Sequence, residues 1–98
     1  MRQLEVFKFR LYIAGGTQNS IEAQANLRNF CQTYLMNRHE IEVIDVFKES
    51  SKTLEDGIFM TPTLIRLSPF PMLKIIGTLN QPQIILQALG LSSLAACS

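Results

Sequence analysis

Val6-Phe7-Lys8-Phe9-Arg10-Leu11-Tyr12-Ile13-Ala14, running on into Gly15-Gly16-Thr17-Gln18-Asn19-Ser20, is the stretch that decides the fold. Its first part alternates. Phe7, Phe9, Leu11 and Ile13 fall on one side, and Lys8, Arg10 and Tyr12 on the other. Period two is the mark of a strand with one buried face. The second part is a glycine turn. Asn19 or Ser20 is placed to cap a following helix, and Glu22 sets a negative charge near its positive end. From Ile21 to about Met36 the period changes to three and four: Ala23, Leu27, Phe30, Cys31 and Tyr34 form one apolar stripe. A strand that turns tightly into a helix opens an α/β domain.

Working outward, Glu40 to Phe47 is rich in β-branched residues and reads as a second strand. Ile41 and Val43 lie on one side of it, then Ile44 and Val46 on the other. That change of phase predicts cover on both faces. Lys48 to Gly57 is polar; Ser50 or Ser51 starts a short helix there, with Leu54 and Ile58 turned inward and Gly57 ending it. A third strand enters through proline at Thr61-Pro62-Thr63-Leu64-Ile65-Arg66-Leu67. Pro69-Phe70-Pro71 is a turn, and Met72 to Gly77 a fourth strand. Asn80 is a plausible cap for a last helix, Gln83 to Leu89, with Pro82 in its first turn and Gly90 as its stop. The order is βαβαββα. The first two strands should be parallel across their helical crossover, and the last two antiparallel. This is the thioredoxin-like arrangement. One domain is expected over residues 1–98, with its core at about 6–91 and a frayed tail at 92–98.

At 98 residues, 47% hydrophobic and 17% charged, the chain fits a small folded domain and not a disordered one. So short a chain buries less of its surface than a larger domain, so association with itself or a partner would add stability. The net charge of +1 is too small for phosphate neutralisation, and the cations are scattered, which argues against a nucleic-acid partner. The start, Met1 to Glu5, shows no long apolar run, and no segment approaches the roughly 18 apolar residues of a membrane span. A cytoplasmic protein with no membrane partner is expected. Cys31 and Cys97 stand in no metal or redox spacing; Cys31 falls on the helix's apolar stripe and reads as a buried structural thiol.

Enzyme chemistry is missing where this order of elements would place it. The loop Gly15 to Ser20, ahead of the first helix, holds no cysteine, so there is no thiolate for exchange. His39, the only histidine, sits between Arg38 and Glu40 at a turn, and no cluster of ligands surrounds it in sequence. Asp45 has no second carboxylate nearby for acid–base work. Gly15-Gly16 lacks the Lys-Ser/Thr that completes a phosphate loop. Thr61-Pro62 stands where such folds place a cis proline; the sequence leaves open whether it exposes backbone for a bound chain or simply starts a strand. Ile84, Ile85 and Leu86 are consecutive, so they cannot share one helix face. That stretch suits a strand as well, which makes two packings of the last third conceivable.

Several motifs occur together in order. Leu11-Tyr12-Ile13-Ala14-Gly15 with Thr17 and Asn19-Ser20, then Val43-Ile44-Asp45-Val46, Thr61-Pro62-Thr63-Leu64, and Ile75-Ile76-Gly77 with Leu79, resemble the KaiB family of circadian-clock proteins across about Phe7 to Leu91. The resemblance implies a non-enzymatic protein without cofactor or metal. It implies binding to the ring of a KaiC-type ATPase, self-association as a dimer or tetramer, and a switch between a thioredoxin-like monomer and a tetramer with a differently packed C-terminal half. Glu22, Glu40, Glu42, Arg66 and Lys74 are the partner-binding candidates it points to. Glu22 and Glu42 stand where the family usually carries a cation, and such reversals alter partner choice. Pro62, Ala88 and Gly90 are the expected determinants of fold state. Ala88 replaces a family glycine and favours helix by roughly 1 kcal/mol; Gly90, a poor helix former, works the other way. The family's acidic tail is replaced by Ser92 to Ser98. Two rival readings are a sensor domain of a histidine-kinase pathway and a degenerate thioredoxin-fold protein that holds a thiol ligand at Pro62.

Overall fold

The computed structural model describes residues 5–91. Seven elements appear in the expected order: β1 (Phe7–Ile13), α1 (Gln18–Tyr34), β2 (His39–Asp45), α2 (Ser50–Glu55), β3 (Thr63–Ser68), β4 (Leu73–Ile76) and α3 (Pro82–Ala88). The four strands form one sheet in the order β2-β1-β3-β4. β1 runs parallel to β2 and antiparallel to β3, and β3 is antiparallel to β4. The expected frayed tail and Cys97 lie outside the described residues.

The alternation in β1 decides what each face of the sheet holds. Phe7, Phe9, Leu11 and Ile13 meet the stripe of α1 (Ala23, Leu27, Phe30 and Cys31) and Ile85, Leu86, Leu89 and Leu91 of the C-terminal segment in the main core. Burial there pushes the Cys31 thiol up to about 12, which keeps it protonated and inert. On the opposite face Tyr12, Ile44 and Ile65 form a smaller cluster, with Val46, Ile58 and Leu67 against it. The phase change in β2 has the predicted result. Ile41 packs on the main core and Ile44 on the smaller one, although β2 is an edge strand and Val43 stays exposed.

The ends of the helices depart from expectation in instructive ways. α1 begins at Gln18 with Thr17 as its N-cap, not at Asn19 or Ser20. Ser20 is instead fully buried in the first turn, where its Oγ accepts a hydrogen bond from the Ala14 amide at 3.0 Å and lies 2.8 Å from Thr17 Oγ1. The hydroxyl thus satisfies the loop between strand and helix from inside. Glu22 lies beyond the first turn and bonds the Gln18 amide side chain at 3.2 Å. α2 starts at Ser50, as expected, with Glu49 as its N-cap, whereas Gln81, not Asn80, is the N-cap of α3. Leu54 is 81% exposed, contrary to the inward orientation expected of it, because α2 presents no buried residue to the sheet.

The stop of α3 is built as read. Gly90 has φ +76°, the left-handed region that glycine enters without a Cβ penalty. The Leu91 amide donates to the Leu86 carbonyl at 2.7 Å and the Gly90 amide to that of Gln87 at 3.1 Å. Leu86 and Leu91 are both buried, so the reversal also brings two apolar side chains into the core.

Candidate interaction surface

Two faces of the sheet are covered in different ways, and the difference sets out the site. α2 contributes nothing apolar to the core, so its hold on the sheet is polar. Tyr12 projects from β1 beneath it and is fully buried. Its hydroxyl lies 2.7 Å from Asp56 Oδ2 and 3.0 Å from the Lys52 carbonyl, and donates its one hydrogen to this pair of acceptors. Burial pushes the Tyr12 phenol up to about 12, with the Asp56 charge adding to it.

Arg10, two residues earlier on the same face, links strand to strand and strand to helix. Its Nε donates to Glu42 Oε1 at 2.9 Å and its Nη1 to Asp56 Oδ2 at 3.0 Å. The β1–β2 register explains the first bond, since Arg10 and Glu42 are direct partners in the ladder. Lys52 of α2 reaches the other oxygen of the same carboxylate at 3.1 Å. The hydrogen bonds from Arg10 and then Lys52 hold the Glu42 carboxyl below its ordinary value. Burial is the largest single influence on Asp56 and opposes its charge, but the hydrogen bonds from Tyr12 and Arg10 outweigh it, so its carboxyl too lies low. The Glu42 bond, first of all, raises the Arg10 guanidinium. Lys74 of β4 closes the ring, with Nζ donating to the Asp56 carbonyl at 2.6 Å.

Of the five residues expected to bind a partner, Glu42 and Lys74 therefore meet in one cluster. Glu40 lies exposed on the same face, one pair along β2 and opposite Lys8 in the register. Glu22 stands apart on α1. Arg66 differs from an exposed contact: β alternation sends it to the main core, where it is 7% exposed and bonded to backbone carbonyls. Pro62 is buried at the entry to β3, its peptide bond with Thr61 is cis, and its carbonyl accepts from the Gly77 amide at 3.0 Å. Ala88 ends α3 and Gly90 forms its stop.

Arg10, Tyr12, Lys52 and Asp56 were not singled out from the sequence. The signal was present only in part: Arg10 and Tyr12 alternate away from the core face, but nothing in the chain announces that Asp56 returns to meet them. His39 is half-buried at the start of β2, its Nδ1 2.8 Å from the Leu35 carbonyl, a local tie at the end of α1. Asp45 accepts from the Phe47 amide at 3.0 Å, a local tie just past the end of β2. Among the described residues no group of three or more His, Cys, Asp or Glu side chains is arranged to hold a metal. None of the described helices is long and apolar enough to cross a membrane.

The segment joining β2 to β3, which carries Lys52 and Asp56 of the cluster, leaves large apolar side chains in water: Phe47, Leu54, Met60, and Phe59 at 95% exposure. Exposed apolar groups beside a paired charge network are what an interaction surface requires.

Comparison with known proteins places the chain in a family and a fold. Residues 10–91 match the family described as KaiB domain. A circadian clock oscillator protein KaiB of a Synechococcus species is 37% identical over 91 residues, which is 93% of this chain and 83% of that protein. In fold, the N-terminal domain of Synechococcus elongatus SasA aligns with a TM-score of 0.75 over 97% of this chain and 90% of that one, at 12% identity. Mitochondrial thioredoxin 3 of Saccharomyces cerevisiae aligns at 0.69 over 88% and 78%, at 17% identity. The last two likenesses establish the thioredoxin-like fold.

Proposed function

This chain belongs to the KaiB family, and we propose that it works by binding: it attaches to a KaiC-type ATPase in the cytoplasm and modulates that partner's phosphorylation cycle, without catalysis or a cofactor of its own. The match of residues 10–91 to the family carries this reading. The surface just described supports it, with a polar cluster in which most charges are already paired and a fringe of exposed apolar residues. Glu22, Glu40, Glu42 and Lys74 are the polar contacts; Arg66 takes part only in a state that brings it out of the core. The absence of a cysteine in Gly15 to Ser20 leaves a thiol-exchange reading without its nucleophile.

Fold switching belongs to the same proposal. In the thioredoxin-like packing Ile85 and Leu86 are buried while Ile84 is 53% exposed, so three consecutive apolar residues are only partly used. A second packing, in a dimer or tetramer, covers the third. Ala88 favours the packing seen here by helix propensity. Gly90 favours it as well, because it lies just past the helix at positive φ and not within it. The test is size-exclusion chromatography with light scattering, on the protein alone and then with a KaiC-type ATPase and nucleotide. Co-elution with the ATPase ring, with loss of any self-assembly, is the expected result. A species that ignores the ATPase at every nucleotide state overturns the partner and leaves the fold standing.

A further inference from the structure

Arg66 carries a charge into the core, and among the described residues no opposite charge meets it. It lies on the same side of β3 as Leu64, opposite Phe9 in the β1–β3 register, so period two turns it toward the main core. Nη1 donates to the Leu89 carbonyl at 3.2 Å and Nη2 to the Pro71 carbonyl at 2.9 Å. Nε is buried with no partner among the described residues. A guanidinium cannot shed its charge, and burial without a counter-ion is costly. What offsets the cost here is a pair of dipoles. Leu89 is the C-cap of α3, where carbonyls lack partners within the helix and carry its negative end.

The two acceptors come from places 18 residues apart in the chain, the β3–β4 turn and the end of α3. One side chain ties them. We propose that Arg66 is a latch: it joins the β3–β4 turn and the C-terminal end of α3 into one unit, which opens as a whole and more readily than β1, α1 and β2. Cooperativity follows from the shared donor. Releasing either acceptor leaves the guanidinium less compensated and weakens its hold on the other. Ease of opening follows from the unsatisfied Nε, since water reaching Arg66 restores all of its hydrogen bonds at once. The inference needs only this fold; under the function proposed above, the latch is also the contact that must break before the C-terminal half repacks.

Native-state hydrogen exchange with increasing denaturant tests it on the unmodified protein. The Leu73 amide, paired with Arg66 in the β3–β4 ladder, and the Leu91 amide, bonded to Leu86, should share one opening free energy and one denaturant slope. The Phe7 and Val46 amides, bonded to Arg38 and Ile13 carbonyls, should open at higher free energy. In R66M, which keeps length and loses charge, the Leu73 and Leu91 rates should separate by about tenfold or more. Different slopes for these two amides in the unmodified protein, or unbroken coupling in R66M, overturns the latch. Should R66M fail to fold, the unmodified protein decides alone. ATPase binding plays no part in either readout, so loss of the proposed partner leaves this result unchanged.

Discussion

Replacing Tyr12 with Phe tests whether α2 is held by polar bonds in place of an apolar face. The substitution keeps the buried ring, so it opens no cavity. It removes only the hydroxyl that serves Asp56 Oδ2 and the Lys52 carbonyl. Loss of a hydrogen bond to a charged acceptor costs about 1.5–3 kcal/mol. Asp56 keeps Arg10 and is 17% exposed, so water relieves part of its loss, and the lower half of that range is the estimate, about 2 kcal/mol. For a domain of this size each kcal/mol moves the melting temperature by about 4–8 °C, so a drop of roughly 10 °C is expected. Urea unfolding is the assay, with a lower midpoint and an unchanged slope. Hydrogen exchange gives the location: α2 amides should lose protection before those of α1. A Tyr12→Phe protein within about 0.5 kcal/mol of the parent, well inside ordinary surface effects, would show that the hydroxyl is not what fastens α2.

Acid should act through the same cluster. The carboxyls of Glu42 and Asp56 lie below their ordinary values of 4.5 and 3.8, so the stability they contribute is complete above about pH 5 and is lost as pH falls through the lowered values. Urea midpoints measured from pH 7 down to pH 2 should be flat and then fall, and the fall should shrink in Asp56→Asn. Gly90→Ala meets no atom within 4 Å but must sit at φ +76°, so a loss of about 1 kcal/mol is expected in thermal melts, from strain alone. Leu54→Ser should leave stability within about 0.5 kcal/mol, because the side chain is already in water; a larger loss by urea titration contradicts the placement of α2.

How much of this was legible in the chain follows from how local each signal is. The strand, the turn, the stripe of α1 and the stop at Gly90 are periodic or conformational features of short segments, and all are present. The starts of α1 and α3 were placed one to three residues late; at α1 this is because Ser20 has the chemistry of a cap but is drawn inward by the amide of Ala14, and Thr17 takes its place. Leu54 misled because an apolar residue in a short helix reads as a core residue. Only tertiary structure shows that Tyr12, Arg10 and Asp56 already hold that helix. Arg66 was expected among the partner-binding residues; the register of β3 turns it into the core instead. The long-range cluster, in which Arg10 meets Asp56 46 residues away, has no local signal at all.

Glu42 shows why a single reversed charge should not be interpreted alone. Taken by itself, it reads as a reversed charge on an expected binding surface. In the structure its carboxylate bridges Arg10 and Lys52, and its side chain is 44% exposed. Glu42→Lys therefore does two things: it removes two half-exposed pairs and sets a third cation against two others. Solvent screens each effect to at most about 1 kcal/mol, so a loss of about 1 kcal/mol in all is expected by urea titration. If the residues act as a set, Glu42→Lys combined with Lys52→Glu should recover most of that loss, since the exchanged pair restores one bridge. A double-mutant cycle without coupling would mean that the two sites are independent. ATPase binding by the same four proteins of the cycle then separates the roles. Should the double variant regain stability and still bind differently from the parent, Glu42 meets the partner directly; binding that follows stability instead would mean that it acts by holding α2 in place.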